Sequence, residues 1–116
     1  MSSLPLKLHN VTDKLSQSAR QIFGDKLRKI ILYGSYARDD YNNYSDLDIM
    51  VLADFDASEK NILETQMRQV ASRVSIEYDI TVSMLLRDEN VFYERATILP
   101  YYKNVAKEGV SIYGEH

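Results

Sequence analysis

Cysteine is absent from the 116 residues. No disulfide framework, thiolate nucleophile or cysteine-ligated metal can therefore form. Histidine is reduced to His9 and His116, both near the chain ends, which argues against a Ser-His-Asp hydrolase and against His-ligated zinc. An excess of positive charge is missing too: 14 basic against 17 acidic residues leave a net charge of −3. A protein dedicated to nucleic acid is usually basic, so direct nucleic-acid binding is not expected. No apolar run approaches the ~20 residues of a membrane span, and the first residues lack a signal-peptide core. A cytoplasmic protein without membrane contact is the expectation. Proline and glycine are scarce, at two and four, and no linker or repeat divides the chain. A single domain over residues 1–116 follows. The remaining chemistry must come from carboxylates, hydroxyls, backbone groups, Arg and Lys, or a bound metal.

What is present is a regular alternation of helix and strand patterns. Val11, Leu15, Ala19, Ile22 and Phe23 share one helical face, with Asn10 as a candidate cap and Gly24 just beyond. The segment Lys29-Ile-Ile-Leu-Tyr33 reads as a short buried strand ending at Gly34. A short helix is expected over about 35–41, then a loop at 42–45. Residues 46–52 form a second strand, apolar throughout its far half, as in a central strand covered on both faces. Asp56 opens a helix carrying Leu63, Met67, Val70 and Val74 on one face, with Glu59 completing a capping-box variant. A third strand is expected over 76–86. Residues 91–108 read as helix with a break or restart at Pro100, and 110–113 as a last short strand. The class is α/β (α+β), with helices packed on a small sheet.

Residues 34–48 carry most of the chemical information. Gly34-Ser35 stands at a strand end before a short helix. Glycine lets a ligand approach the backbone, and amides at a helix start attract phosphate; a tight turn capped by Ser35 would give the same pattern. Asp46 and Asp48, two apart on a strand, point to one face. Such a pair repels itself unless a cation sits between the carboxylates, and Mg²⁺ prefers oxygen ligands; a solvated strand start is the plainer alternative. Asp79, expected mid-strand at 76–86, would be costly there unless paired or bound to metal, and is the candidate third carboxylate, with Glu77 as its competitor. Arg38 can reach a phosphate or form an ion pair. Of the nine tyrosines, Tyr33, Tyr36, Tyr41 and Tyr44 flank this stretch, placed to stack on a base or to pack in the fold.

Gly34-Ser35, ten residues, then Asp46-x-Asp48 resembles the signature of the minimal nucleotidyltransferases, a branch of the polymerase-beta-like nucleotidyltransferase superfamily. The resemblance covers nearly the whole chain. It implies the nucleotidyltransferase fold, a small mixed sheet of about four strands with helices on it. It implies that Gly34 and Ser35, with Arg38, bind the nucleotide and that Asp46, Asp48 and Asp79 bind two Mg²⁺ ions, Asp79 also helping to deprotonate the acceptor. The reaction would move a nucleotide from ATP to an acceptor hydroxyl and release pyrophosphate. Asp39-Asp40 departs from the pattern, which often carries glycine after the Ala-Arg pair. Members commonly pair with HEPN-domain proteins, and some are antitoxins that silence a HEPN ribonuclease toxin by adding AMP to a tyrosine. That protein adenylyltransferase role is the expectation. The alternatives are nucleotidyl transfer to a small molecule, and neutralisation of a HEPN partner by binding alone.

Overall fold

The computed structural model describes residues 6–114; His116 lies outside them. In chain order they form α1 (Leu6–Phe23), a 3₁₀ turn (Gly24–Lys26), β1 (Leu27–Tyr33), α2 (Ser35–Arg38) and β2 (Leu47–Ala53). A second 3₁₀ turn (Ala57–Glu59) leads into α3 (Lys60–Tyr78), followed by β3 (Val82–Asp88), α4 (Glu89–Ala96), α5 (Pro100–Glu108) and β4 (Val110–Tyr113). The sheet is mixed, in the order β3-β2-β1-β4. β1 runs antiparallel to both β2 and β4, while β2 and β3 are parallel. The expected α/β class and four-strand mixed sheet are both present.

Strand parity explains the layering. Leu47, Ile49, Val51 and Ala53 of β2 pack with α1 and α3, joined by Leu15, Ala19, Met67, Val70 and Val74. Met50 and Leu52 point the other way, onto Phe92, Tyr102 and Val105 of α4 and α5. β2 is thus covered on both faces, as its unbroken apolar run required. Asp48 shares the parity of Met50 and Leu52, so the carboxylate pair belongs to the α4–α5 face.

Helix boundaries follow local chemistry. Asp56 and Glu59 form a reciprocal capping box, which satisfies two amides at the entry to α3. Pro100 sits in the first turn of α5, where its missing N–H costs nothing; the continuous helical pattern is duly split there. α1 begins earlier than expected, because Leu8 is also buried and extends the apolar face. Asn10 is therefore inside that helix and does not cap it.

The largest departure concerns residues 76–81, expected as strand. α3 continues through Tyr78, and Asp79 ends it in the left-handed conformation, with φ 52° and ψ 53°. The helical period of Val70, Val74 and Tyr78, all packed in the core, outweighs the local alternation. Ser75 stabilises the join: its hydroxyl donates to the Ala71 carbonyl at 2.7 Å and accepts from the Val82 amide at 3.0 Å.

Candidate active site

The site grows from the β1–β2 pair. In register, Tyr33 lies opposite Asp48, so the turn that follows Tyr33 meets the start of β2. Gly34 has φ 77° and ψ −155°, a region essentially restricted to glycine. A Cβ on Gly34 would collide with the Asp48 carboxylate. The turn and the acid are thus packed against one another, and glycine is needed at this position on two counts. Gly34, rather than Ser35, holds the capping position of α2, and Ser35 is its first residue. The Ala37 and Arg38 amides return to the Gly34 carbonyl, each at 3.1 Å. Those of Ser35 and Tyr36, one turn earlier, have no carbonyl to donate to within the helix.

Asp46 is exposed and Asp48 half-buried. Burial, then the neighbouring Asp46 carboxylate, raise Asp48 above the ordinary carboxylate range, with Arg38 drawing it partly back. A raised acid beside another acid is the electrostatic condition that a cation relieves. The loop leading to the pair is closed by its own polar groups: the Asn42 side chain accepts from the Tyr44 amide at 2.8 Å, and Ser45 Oγ from the Asn42 amide at 2.9 Å.

The structure therefore brings Gly34, Ser35, Asp46 and Asp48 together. It does not bring Asp79 to them. Asp79 is exposed at the end of α3, and among the described residues no three acids or histidines gather as a metal-binding group. The expectation of a mid-strand third carboxylate is corrected by the extension of α3. Asp79 instead borders an open cavity of about 780 Å³ with Tyr36, Tyr44 and Lys7. The β3 register partner of Asp48 is Ser83, so a hydroxyl rises beside the carboxylate on the same face.

Arg38 forms ion pairs with Asp40 at 3.2 Å and Glu108 at 3.6 Å. The two acids that break the usual motif are thereby placed: Asp40 on Arg38, and Asp39 as the left-handed residue ending α2. Of the tyrosines, Tyr36 and Tyr41 stack on each other at 4.2 Å between ring centroids, which is packing, while Tyr44 is 94% exposed. Tyr33 shares a hydrogen bond of 2.8 Å with the Tyr101 hydroxyl. Burial and that neighbouring hydroxyl push the Tyr33 phenol well up, so it stays neutral beside Asp48. Parity puts Tyr33 on the face of Ile31, and the pairing of β1 with β2 makes that the carboxylate face. Ser83 carries no such signal, because its position depends on a parallel register between distant segments.

A glycine turn against Asp48, with Asp46 beside it, thus stands at one end of a mixed sheet of order β3-β2-β1-β4. The family profile of the nucleotidyltransferase domain matches residues 12–112, and the chain belongs to that family. It is similar to a Methanocaldococcus jannaschii protein named as a "putative protein adenylyltransferase", with 28% identity over 109 residues, 92% of this chain and 100% of that one. A second protein of that name and organism is 35% identical over 79 residues, covering 68% of this chain and 54% of its own length. Among solved structures, a chain of a toxin–antitoxin complex with AMP-PNP superposes with a TM-score of 0.58 at 22% identity, over 90% of this chain and 74% of that one. A chain from the complex of tri-AMPylated Shewanella oneidensis HEPN toxin with MNT antitoxin gives 0.55 at 22% identity, over 92% and 72%. These two likenesses establish the fold. Among the described residues no helix is long and apolar enough to cross a membrane.

Proposed function

We propose that this nucleotidyltransferase is a protein adenylyltransferase, an antitoxin that moves AMP from ATP to a hydroxyl, a tyrosine by expectation, of a HEPN-domain ribonuclease toxin in the same cytoplasm. The observation that carries the reading is the contact of Gly34 with the Asp48 carboxylate. In this reading a phosphate-binding turn and a metal-binding pair meet at one point, where the α-phosphate of ATP would lie for transfer. The names of the similar adenylyltransferases and of the toxin–antitoxin complexes support the acceptor class.

In this reading the Ser35 hydroxyl and the first amides of α2 hold the triphosphate. The acceptor hydroxyl gives its proton to solvent water and its oxygen bonds to the α-phosphorus as the bond to the leaving pyrophosphate breaks. Asp46 and Asp48 fit Mg²⁺: two hard oxygen donors on one face, one of them raised above its ordinary range by burial and by the other's charge. They would hold the ions, the triphosphate and water supplying further ligands. Bound Mg²⁺ would neutralise phosphate charge and stabilise charge on the transferring group. Arg38 would exchange Asp40 for a phosphate oxygen, a change within reach because both partners are exposed and such pairs are weak.

Two measurements test the reading. Replacing EDTA by Mg²⁺ is expected to raise ATP affinity, by calorimetry, roughly tenfold or more, and to produce no rise in Asp46→Asn. An equal rise in that variant would remove Asp46 from the site. Incubation with ATP, Mg²⁺ and a HEPN-domain protein encoded beside this chain is expected to add one or more AMP units to that partner, read by intact mass. Inhibition of the partner's ribonuclease activity with no added mass would leave a binding antitoxin only.

A further inference from the structure

A second polar site lies at the opposite end of the sheet. Arg87 stands four residues beyond Ser83 on β3, opposite Leu52 where Ser83 is opposite Asp48, roughly 13 Å along the strands. Arg87 Nε donates to the Tyr102 hydroxyl at 3.0 Å, and Arg95 Nη1 donates to the same oxygen at 3.1 Å. Two guanidinium groups thus converge on one neutral oxygen. Ion pairs of Arg87, Arg95 and the nearby Lys60 with acids are absent among the described residues. The one acid lining the cavity they share, Asp88, accepts the Asn90 and Val91 amides at the start of α4, at 2.9 and 3.2 Å. Burial pushes the Tyr102 phenol up, but the two guanidinium groups outweigh it and hold it below its usual range. The local field therefore favours a negative oxygen.

Lys60, Arg87 and Arg95 line a cavity of about 420 Å³ whose remaining wall includes Phe55, Leu86 and Val91. That volume suits a small ligand, and its lining is an apolar surface with a few convergent polar groups. Three cations without ion pairs against the single carboxylate of Asp88 in the lining, on a chain of net charge −3, mark it as a place for an anion. Arg87 already donates Nε to Tyr102 and Nη1 to the Leu86 carbonyl at 2.8 Å, so the donors left for a ligand are its Nη2, the rest of the Arg95 fork and the Lys60 ammonium, which a phosphate, with more oxygens than a carboxylate, can meet together. The aromatic Phe55 and aliphatic Val91 beside them match a flat apolar carrier. We propose that this cavity binds a phosphate monoester on such a carrier, the chemistry of a nucleoside monophosphate, at a site separate from Asp46 and Asp48. It has no role in the transfer reading and stands independently of it.

The test is calorimetric titration of the full chain in EDTA with AMP, adenosine, inorganic phosphate and an oligo-glutamate peptide. AMP is expected to bind more tightly than phosphate, and adenosine not measurably. Arg95→Gln and Arg87→Gln are each expected to weaken AMP roughly tenfold or more through loss of charge-assisted hydrogen bonds. Arg95 is exposed, so its variant keeps the fold, checked by an unchanged melting temperature. Asp46→Asn and Asp48→Asn are expected to retain AMP binding in EDTA. Absence of AMP binding to the wild type, equal affinity for phosphate and AMP, preference for the acidic peptide, or binding unchanged in both arginine variants would each overturn the proposal. So would loss of binding in the aspartate variants, which would assign the AMP to the transfer site.

Discussion

Asp48→Asn is expected to lower nucleotidyl transfer by a factor of ~10²–10³ or more while leaving the metal-free protein at least as stable as the wild type. The two effects have one cause. Burial and the neighbouring Asp46 raise the Asp48 carboxyl above its ordinary range, so the folded state holds the Asp48 proton more tightly than the unfolded chain. At neutral pH the ionised carboxylate therefore subtracts from stability. As pH falls through the raised value and then below ~4, the carboxyl is protonated in both states and the penalty disappears. Asn occupies the same space without the charge. Its gain in melting temperature over wild type is expected near pH 7 in EDTA and is expected to shrink as the pH drops below ~4. Added Mg²⁺ should stabilise the wild type more than the variant, because only the wild type keeps both carboxylates. Transfer, followed by mass added to the partner, should be lost. A variant that melts lower at neutral pH yet transfers at the wild-type rate would make Asp48 a structural residue.

The same residues show where sequence reading succeeds. Elements with a strong period were legible: the α1 face, the apolar run of β2, the Met67–Val70–Val74 stripe and the restart at Pro100 all reflect burial that repeats along the chain. The meeting of turn and carboxylate was legible only through the family signature, Gly34-Ser35, ten residues, then Asp46-x-Asp48; the antiparallel pairing of β1 and β2 is what brings it about. Asp79 was not, because Glu77-x-Asp79-x-Thr81 alternates as a strand would. The deciding fact, that Tyr78 reaches the core one helical turn after Val74, depends on packing between α3 and the sheet. Nor does the sequence place Ser83 beside Asp48 or Arg95 on the Tyr102 hydroxyl. The first requires the parallel register of β2 and β3, and the second requires α4 and α5 to lie side by side. Both are contacts between segments whose local patterns carry no information about one another.

This ordering of local and non-local constraint gives Gly34→Ala its expected result. Two independent penalties fall on the new methyl group. The first is conformational: a φ of 77° with ψ −155° is a backbone state that costs other residues about 1–3 kcal/mol. The second is steric, since the methyl enters the space of the Asp48 carboxylate. The Asp48 backbone is fixed on a central strand between β1 and β3, so the acid can yield only by turning its carboxylate away from the turn. Either the turn moves or the acid does, and both displace the phosphate site from the metal site. Gly34→Ala is therefore expected to destabilise the metal-free protein by roughly 1–3 kcal/mol or more and to abolish transfer even where the protein remains folded. A double-mutant cycle separates the two penalties. In an Asp48→Ala background the steric conflict is gone and only the backbone cost remains, so Gly34→Ala should destabilise less there than in the wild type. Equal destabilisation in both backgrounds, measured by urea unfolding in EDTA, would mean that Gly34 and Asp48 do not touch, and the site built on their contact would fall with it.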